Sequence, residues 1–295
     1  MVTESGEPFA ARAAEWATTL ASDDIPADVR RAALAQQAST LGAAVWSSTH
    51  PAGEQIARAT ERQYEDGPAT FLGGASLSPA GAAYGNAALS MALDFDDTIL
   101  GGHTGHSTVF AALAYAEQAG ASRERALLAQ VAANEVAARV ASAAAIGPFR
   151  GQQTAYIHAI GAAVARAVVA GDDADTLRNA LGIAPAQPPW PLERPFFGGD
   201  GKYWLASDPL RTGLAAVDAA RSGQQGTDDV IDGDAGFLDS FARIPVPEFL
   251  AGLGTRWHTR AVTVKAVPGC AYVTAPVEAA LQIADQTDLD TADIE

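Results

Sequence analysis

The sequence predicts a mainly α protein, with a large all-helical domain over residues 1–252 followed by the start of a small α/β lid domain over residues 253–295. Alanine-rich runs such as residues 111–116 favour helix over strand. Only 7% of the residues are aromatic, which argues against a large β-sandwich or barrel. Apolar residues make up 48% of the 295 residues, so the chain can bury a sizeable core.

Apolar residues that recur at every third or fourth position predict most of the helices. The second helix opens at Pro26, since proline suits a first helical turn, and its apolar positions run from Val29 to Val45. Small residues crowd the fourth helix, which suits close packing between helices. The predicted helices cover, in order, residues 9–21, 26–45, 52–64, 79–93, 109–118, 123–145, 155–170, 175–183, 210–222 and 275–284.

Loops and one strand separate these helices. Residues 67–78 and 184–201 are rich in glycine and proline and predict loops, the first with a possible short ribbon, while the Asp-rich residues 224–236 predict a solvated turn region. Residues 255–267 alternate and are rich in β-branched side chains, which predicts a strand. This change of pattern places the domain boundary near Gly252.

The charge balance is strongly acidic, with 35 Asp and Glu against 19 Lys and Arg and a net charge of −16. A protein that binds nucleic acid needs a concentrated basic face, and no such pattern is visible. An anionic membrane would repel this surface too. We therefore expect neither nucleic acid nor membrane as a partner.

The cysteine content and the N-terminus indicate a cytoplasmic protein. Cys270 is the only cysteine, so the chain forms no intramolecular disulfide, which suits a reducing compartment. Residues 1–9 lack the apolar stretch of a signal peptide, and no apolar run reaches membrane-spanning length.

The densest chemistry lies in residues 93–107, where three acids, two imidazoles and three small hydroxyl side chains occur within 15 residues. Glycines in the same stretch let the backbone approach a ligand closely. A plain structural alternative is a helix end, a turn and a new helix with Ser107 as its N-cap. The charged and titratable residues of this polar segment are Asp94, Asp96, Asp97, His103 and His106.

Three other motifs fit this polar segment less well. Asp94-x-Asp96-x-Thr98 matches a phosphotransfer motif in which the first Asp is the nucleophile, but that motif should end a buried strand, and the lead-in here is helix-like. His103 and His106 have the spacing of a metal-binding pair, yet they stand among glycines, and we predict no metal site. A phosphate-binding loop is excluded because its lysine is missing.

The chain contains only two lysines, Lys202 and Lys265. In a protein that otherwise uses arginine, a lysine indicates a role that needs a compact ammonium group, although two ordinary surface lysines are the simpler interpretation. The other histidines are less informative. We expect His50 at a helix end, His158 as a satisfied core residue, and His258 on the predicted strand near the surface.

Several blocks resemble the MmgE/PrpD family, in the same order as in that family, and together they cover nearly the whole chain. The first is Ala92–Thr98 with His103 and the helix that ends at Glu117. The others are Gly151–Thr154 with Gly161–Ala163, Leu181–Ala184, Lys202 to Gly213, and Lys265-x-x-Pro268-x-Cys270.

The resemblance implies a helical domain with a smaller α/β lid, usually as a homodimer, and no cofactor. It implies cofactor-independent lyase chemistry, dehydration or decarboxylation, on a small di- or tricarboxylate such as 2-methylcitrate or cis-aconitate. By the same resemblance the catalytic positions are Asp94, Thr98, His103, Lys202 and Lys265. The remaining substrate-binding positions are Gln152, Thr154, Cys270 and His106.

The resemblance also assigns roles at these positions. The two lysines would bind substrate carboxylates, and His103 would be a general acid or base with a near-neutral pKa. Asp94 would orient His103 or pair with its charge, and Thr98 would donate a hydrogen bond. Together these groups would meet the negative charge that develops when water or CO₂ leaves.

Two departures from the family pattern leave alternatives open. Gln152 stands where the family has a histidine, and glutamine cannot transfer protons at neutral pH. Val273-Thr274 stands where the family has Thr-His. The sequence therefore also allows an epimerase or isomerase of a dicarboxylate, or a non-catalytic subunit whose lid a second chain completes.

Overall fold

Helices fill most of the described part of the chain. The structure is a computed structural model and describes residues 6–144, 155–189 and 192–287. Within those residues the helices are α1 (Phe9–Thr19), α2 (Ala27–Ser48), α3 (Pro51–Glu61), α4 (Pro79–Ala92), α5 (Gly105–Ala119), α6 (Arg123–Ala144), α7 (Ala155–Ala170), α8 (Ala174–Ile183), α9 (Glu193–Gly198), α10 (Ser207–Arg221), α11 (Phe237–Phe241) and α12 (Thr274–Gln286). The predicted mainly α fold is confirmed.

The core lies around α7, which is buried from Ala155 to Val169. Helices α5, α6 and α10 pack against it, and α4 packs against α2, α5 and α10. Small residues permit the closest approaches: a side chain at Gly213 would clash with the backbone of Ala159. The crowding of glycine and alanine in these helices is therefore required by helix-to-helix packing.

Strands are few and short in the described residues. They are β1 (Asp66–Ala69), β2 (Asp97–Ile99) and β3 (Val262–Val264). β2 and β3 pair antiparallel, with Asp97 opposite Val264 and Ile99 opposite Val262. This pairing joins the polar segment to residues that are 165 positions further along the chain.

The segment after Gly252 is held onto α6 by a buried ion pair. Arg139 Nη1 donates to Glu135 Oε2 at 2.5 Å, and neither side chain is exposed. Glu135 also accepts the backbone N–H groups of His258 at 2.9 Å and Thr259 at 2.7 Å. Arg139 Nη2 donates to the carbonyl of Gly252 at 3.0 Å. The start of the predicted lid is thus anchored immediately before β3.

This anchor explains why the predicted strand over 255–267 is wrong for most of its length. Residues His258–Ala261 form a short 3₁₀ helix whose first N–H groups bind Glu135, and only Val262–Val264 are extended. His258 accordingly lies off the strand and is partly buried rather than at the surface. Burial, together with Arg139 nearby, lowers its pKa to about 4.

Two further local predictions differ from the structure. The wide loop predicted over 184–201 contains α9 and leads into a 3₁₀ helix, Asp200–Trp204. Helix α5 begins at Gly105, four residues earlier than predicted, so Ser107 lies inside its first turn rather than at the N-cap. Its hydroxyl donates to the carbonyl of Thr104 at 3.2 Å.

None of the helices in the described ranges is long and apolar enough to cross a membrane. The domain boundary near Gly252 stays a prediction.

Candidate functional site

The site begins at Asp94, just after α4, where the backbone adopts a left-handed conformation with φ of +52°. Such a conformation is costly for a residue other than glycine and tends to persist at functional sites, where surrounding contacts hold it. Here the carbonyl of Asp94 accepts from Gly269 N at 2.9 Å and from Lys265 Nζ at 2.8 Å. The strained turn therefore docks onto the segment that follows β3.

Both lysines of the chain converge on the carboxylate of Asp94. Lys202 Nζ lies 2.6 Å from Asp94 Oδ2, and Lys265 Nζ lies 2.9 Å from Asp94 Oδ1. Lys202 also lies over the ring of Phe196, 4.9 Å from its centroid. The structure thus brings together two cations that are 63 positions apart in the sequence.

A second carboxylate, Asp96, joins Lys265 to the imidazoles. Its side chain is completely buried, and Lys265 Nζ lies 2.7 Å from its Oδ1. His103 Nδ1 lies 2.5 Å and His106 Nε2 lies 3.2 Å from its Oδ2. The carboxylate that pairs with His103 is therefore Asp96, whereas the resemblance assigned that role to Asp94.

The close pairing changes the charge state of both partners. Burial alone would raise the pKa of Asp96, but His103 and His106 outweigh burial and hold that pKa well below its usual range. Burial alone would lower the pKa of His103, but the charges of Asp96 and Asp97 raise it to about 9. His103 is thus a cation at neutral pH, not the near-neutral imidazole that was expected.

Lys265 is held in its charged form. Burial would lower its pKa, but contacts with Asp96 and Asp94 raise the pKa above its ordinary value. Since it stays an ammonium, Lys265 suits charge stabilisation rather than proton abstraction.

Asp97 fixes the start of α5 and so positions both imidazoles. It is fully buried, accepts from Gln36 Nε2 at 2.7 Å, and accepts the N–H of Gly105 at 3.1 Å. A side chain at Gly105 would collide with this carboxylate, which explains the glycine. Burial raises the pKa of Asp97.

The remaining predicted residues differ in their relation to this cluster. Thr98 Oγ1 lies 2.5 Å from Thr263 Oγ1, so it forms a cross-strand hydrogen bond between β2 and β3. His106 is fully buried, with Nδ1 2.7 Å from Ser90 Oγ. Cys270 follows Gly269, which binds Asp94, and is a free, partly exposed thiol. Gln152 and Thr154 lie outside the described residues.

Two alternatives from the sequence find no support in this geometry. The Asp94-x-Asp96-x-Thr98 motif follows α4 rather than a buried strand. Within the described ranges, no three His, Cys, Asp or Glu side chains are grouped so that they could hold a metal ion. The carboxylate oxygen of Asp96 that does not contact the imidazoles, Oδ1, binds Lys265 instead.

We expect the folded protein to lose stability as pH rises from 6.5 through about 9, because His103 must then release its proton. A raised pKa in the folded state contributes stability that is complete below the unfolded pKa of about 6.5, here on the order of 3 kcal/mol. Urea unfolding at pH 6 and pH 9.5 measures this loss. It should be smaller in His103→Gln and unchanged in His50→Gln; equal losses in all three proteins would contradict the assigned charge state.

Fold and site together define a class of protein: a helical bundle with a buried cluster of lysine, carboxylate and imidazole groups where a two-stranded sheet meets the bundle. Residues 11–250 match the MmgE/PrpD N-terminal domain, and the chain belongs to the MmgE/PrpD family. The resemblance inferred from the sequence is confirmed.

Curated relatives are distant and longer. The chain is 29% identical to a cis-aconitate decarboxylase of Aspergillus terreus over 287 residues, which cover 90% of this chain and 58% of the relative. A cis-aconitate decarboxylase of A. terreus strain NIH 2624 / FGSC A1156 has the same identity and coverage. The chain therefore spans less than two thirds of the length of these relatives.

Proposed function

We propose that this chain carries the cationic half of a cofactor-independent lyase site that acts on a small di- or tricarboxylate. The observation that supports it is the local charge. In a chain of net charge −16, the cations Lys202, Lys265 and His103 surround two carboxylates, Asp94 and Asp96. Three fixed cations gathered at one point of an acidic protein favour a small anionic substrate.

Exposure separates the cluster into a rim and a floor. The side chains of Lys202, Asp94 and His103 are 19%, 22% and 19% exposed, so a substrate meets them first. Lys265 and Asp96 are 4% and 0% exposed and form the floor. We infer that Lys202 binds a substrate carboxylate and that Lys265 holds Asp94 and Asp96 in place.

The chemistry of such a site follows from these charges. Loss of water or CO₂ from a polycarboxylate passes through a state with extra negative charge on a carboxylate or on carbon. Fixed ammonium groups stabilise that charge, and a protonated His103 is placed to supply a proton to the leaving group or to carbon.

The experiment is an NMR assay of the purified protein with 2-methylcitrate, citrate, cis-aconitate and iminodisuccinate, at low and high salt, with and without EDTA. We expect EDTA-insensitive loss of water or CO₂ from one of them. Lys202→Met should weaken binding of that acid at least tenfold, and Lys202→Arg less, because arginine keeps the charge. Arg62→Met, which removes an exposed cation elsewhere, should change nothing.

The result that contradicts the proposal is an absence of both turnover and binding with a folded sample. Equal binding by Lys202→Met and the unmodified protein would also contradict it.

Helix α12 favours a second proposal, a subunit whose lid is completed by another chain. None of its residues is buried, and Leu281 and Ile283 are 55% and 54% exposed. Turnover that is absent with the purified chain alone and appears after a partner chain is added would support this alternative.

A homodimer also stays a prediction, which sedimentation of the purified chain tests. Epimerisation of a dicarboxylate remains the other reaction to be scored in the NMR assay.

A further inference from the structure

His158 in α7 is a buried imidazole that lies beside the cluster but takes no part in the roles assigned above. It has no exposed surface. Its ring packs edge-on to that of His106, with the ring centroids 5.7 Å apart. Its Nδ1 lies 3.0 Å from Ser107 Oγ, in the first turn of α5. His158 therefore approaches the site from the core, on the side of His106.

The hydrogen bond of Ser107 to Thr104 favours one tautomer of His158. The hydroxyl of Ser107 has a single hydrogen and donates it to the carbonyl of Thr104. With that hydrogen on Thr104, Ser107 Oγ accepts from His158, which places the proton of the imidazole on Nδ1. Nε2 then carries a bare lone pair, and no residue in the described ranges is its hydrogen-bond partner. A buried acceptor without a partner is costly and rare in folded proteins.

The surroundings keep this imidazole neutral. Burial lowers the pKa of His158 well below its usual range, and the neighbouring imidazoles His106 and His103 lower it further, while Asp96 opposes them more weakly. His103 has the opposite charge state, since Asp96 holds it protonated. Two histidines of one site thus differ in protonation at neutral pH, which is the arrangement of a proton donor with a proton acceptor.

We infer that His158 is the proton acceptor of the site and that the reaction therefore removes a proton from carbon, as dehydration and epimerisation do. The inference rests on the proposed function and narrows it, because loss of CO₂ alone needs only a donor. Complete burial of His158 favours transfer through one intervening water, an accepted route for a general base.

A dehydration at this site would use both histidines. The C–H bond next to a substrate carboxylate breaks, its proton passes to Nε2 of His158, and its electron pair moves into that carboxylate. The pair returns to form the carbon–carbon double bond as the neighbouring C–O bond breaks. His103 gives its proton to the departing hydroxide, which leaves as water. Lys202 faces the charged carboxylate between the two steps.

The test is deuterium exchange into 2-methylcitrate, citrate and iminodisuccinate in D₂O, followed by NMR. We expect exchange at a C–H beside a carboxylate. His158→Gln should slow it by roughly a hundredfold or more. His103→Gln should keep the exchange while losing the elimination of water. This opposite behaviour of the two variants is not expected if His158 has only a structural role. His50→Gln, at a helix end away from the cluster, is the matched control.

A second measurement needs no turnover and covers the case in which the His158 variant fails to fold. In the unmodified protein, imidazole nitrogen resonances should show His158 as the neutral Nδ1–H form at pH 7, and added citrate should shift its Nε2 resonance. A protonated Nε2 at pH 7, or turnover without deuterium exchange, overturns the inference and leaves the proposed function standing. Failure of all the acids to bind, by contrast, overturns the proposed function itself.

Discussion

Replacing His103 by glutamine is expected to lower kcat by roughly a hundred- to ten-thousandfold while leaving the fold intact, because the variant removes the proposed proton donor. Glutamine keeps a hydrogen-bond donor near Asp96 but cannot transfer a proton at neutral pH. His103 is partly exposed, so its loss leaves no large cavity. The measurement is the NMR assay with the acid that the unmodified protein converts, together with a thermal unfolding curve.

Comparison of His103→Gln with His50→Gln separates a catalytic role of His103 from a general effect of losing an imidazole. His50→Gln removes an imidazole from the end of a helix and should leave kcat unchanged. His103→Gln with normal turnover and a normal unfolding curve would remove His103 from the mechanism. A variant that loses turnover because it no longer folds would assign His103 a structural role instead. A loss of about 3 kcal/mol in a variant that still folds is the contribution of the His103 charge itself.

Replacing Glu135 by alanine is expected to lower the free energy of unfolding by about 3–5 kcal/mol, since it leaves a buried charge without its partner. Arg139 would stay buried, and the N–H groups of His258 and Thr259 would lose their acceptor. The segment before β3 and Lys265 would then be held to α6 by the hydrogen bonds of Arg139 to the carbonyls of Gly252 and Arg256, without those of Glu135. Urea unfolding measures the change.

The chain contains a matched control for this experiment. Glu54 and Arg58 have the same i, i+4 spacing on a helix, but their side chains are 66% and 59% exposed. An exposed pair of this kind contributes little, so Glu54→Ala should change the free energy of unfolding by less than about 1 kcal/mol. Similar effects of Glu135→Ala and Glu54→Ala would show that the buried pair is not an anchor.

Much of the fold can be predicted from the sequence because helices depend on local patterns. The positions of α1, α4, α6 and α7 follow from apolar spacing and small residues. The order of short motifs along the chain was enough to identify the family. The two lysines were recognisable because the chain has no others.

The sequence did not reveal which groups would meet. Asp94 and Asp96 are two residues apart, and only burial decides that Asp96 binds both imidazoles while Asp94 faces the lysines. The anchoring role of Glu135 could not be predicted from the sequence, because a Glu–Arg pair one turn apart on a helix is normally exposed. His158 was expected to be a satisfied core residue, yet its Nε2 finds no hydrogen-bond partner in the part of the chain that the structure describes.

The sequence by itself determined the helical class, the family and the residue types available for chemistry, since each depends on neighbours along the chain. Only the tertiary structure decided the pairing of β2 with β3, which brings Lys265 to Asp94 across 171 positions, and the convergence of Lys202 across 108. The same packing set the charge states of the imidazoles. A pKa depends on burial and on charges within a few ångströms, and the packed core, not local sequence, determines both.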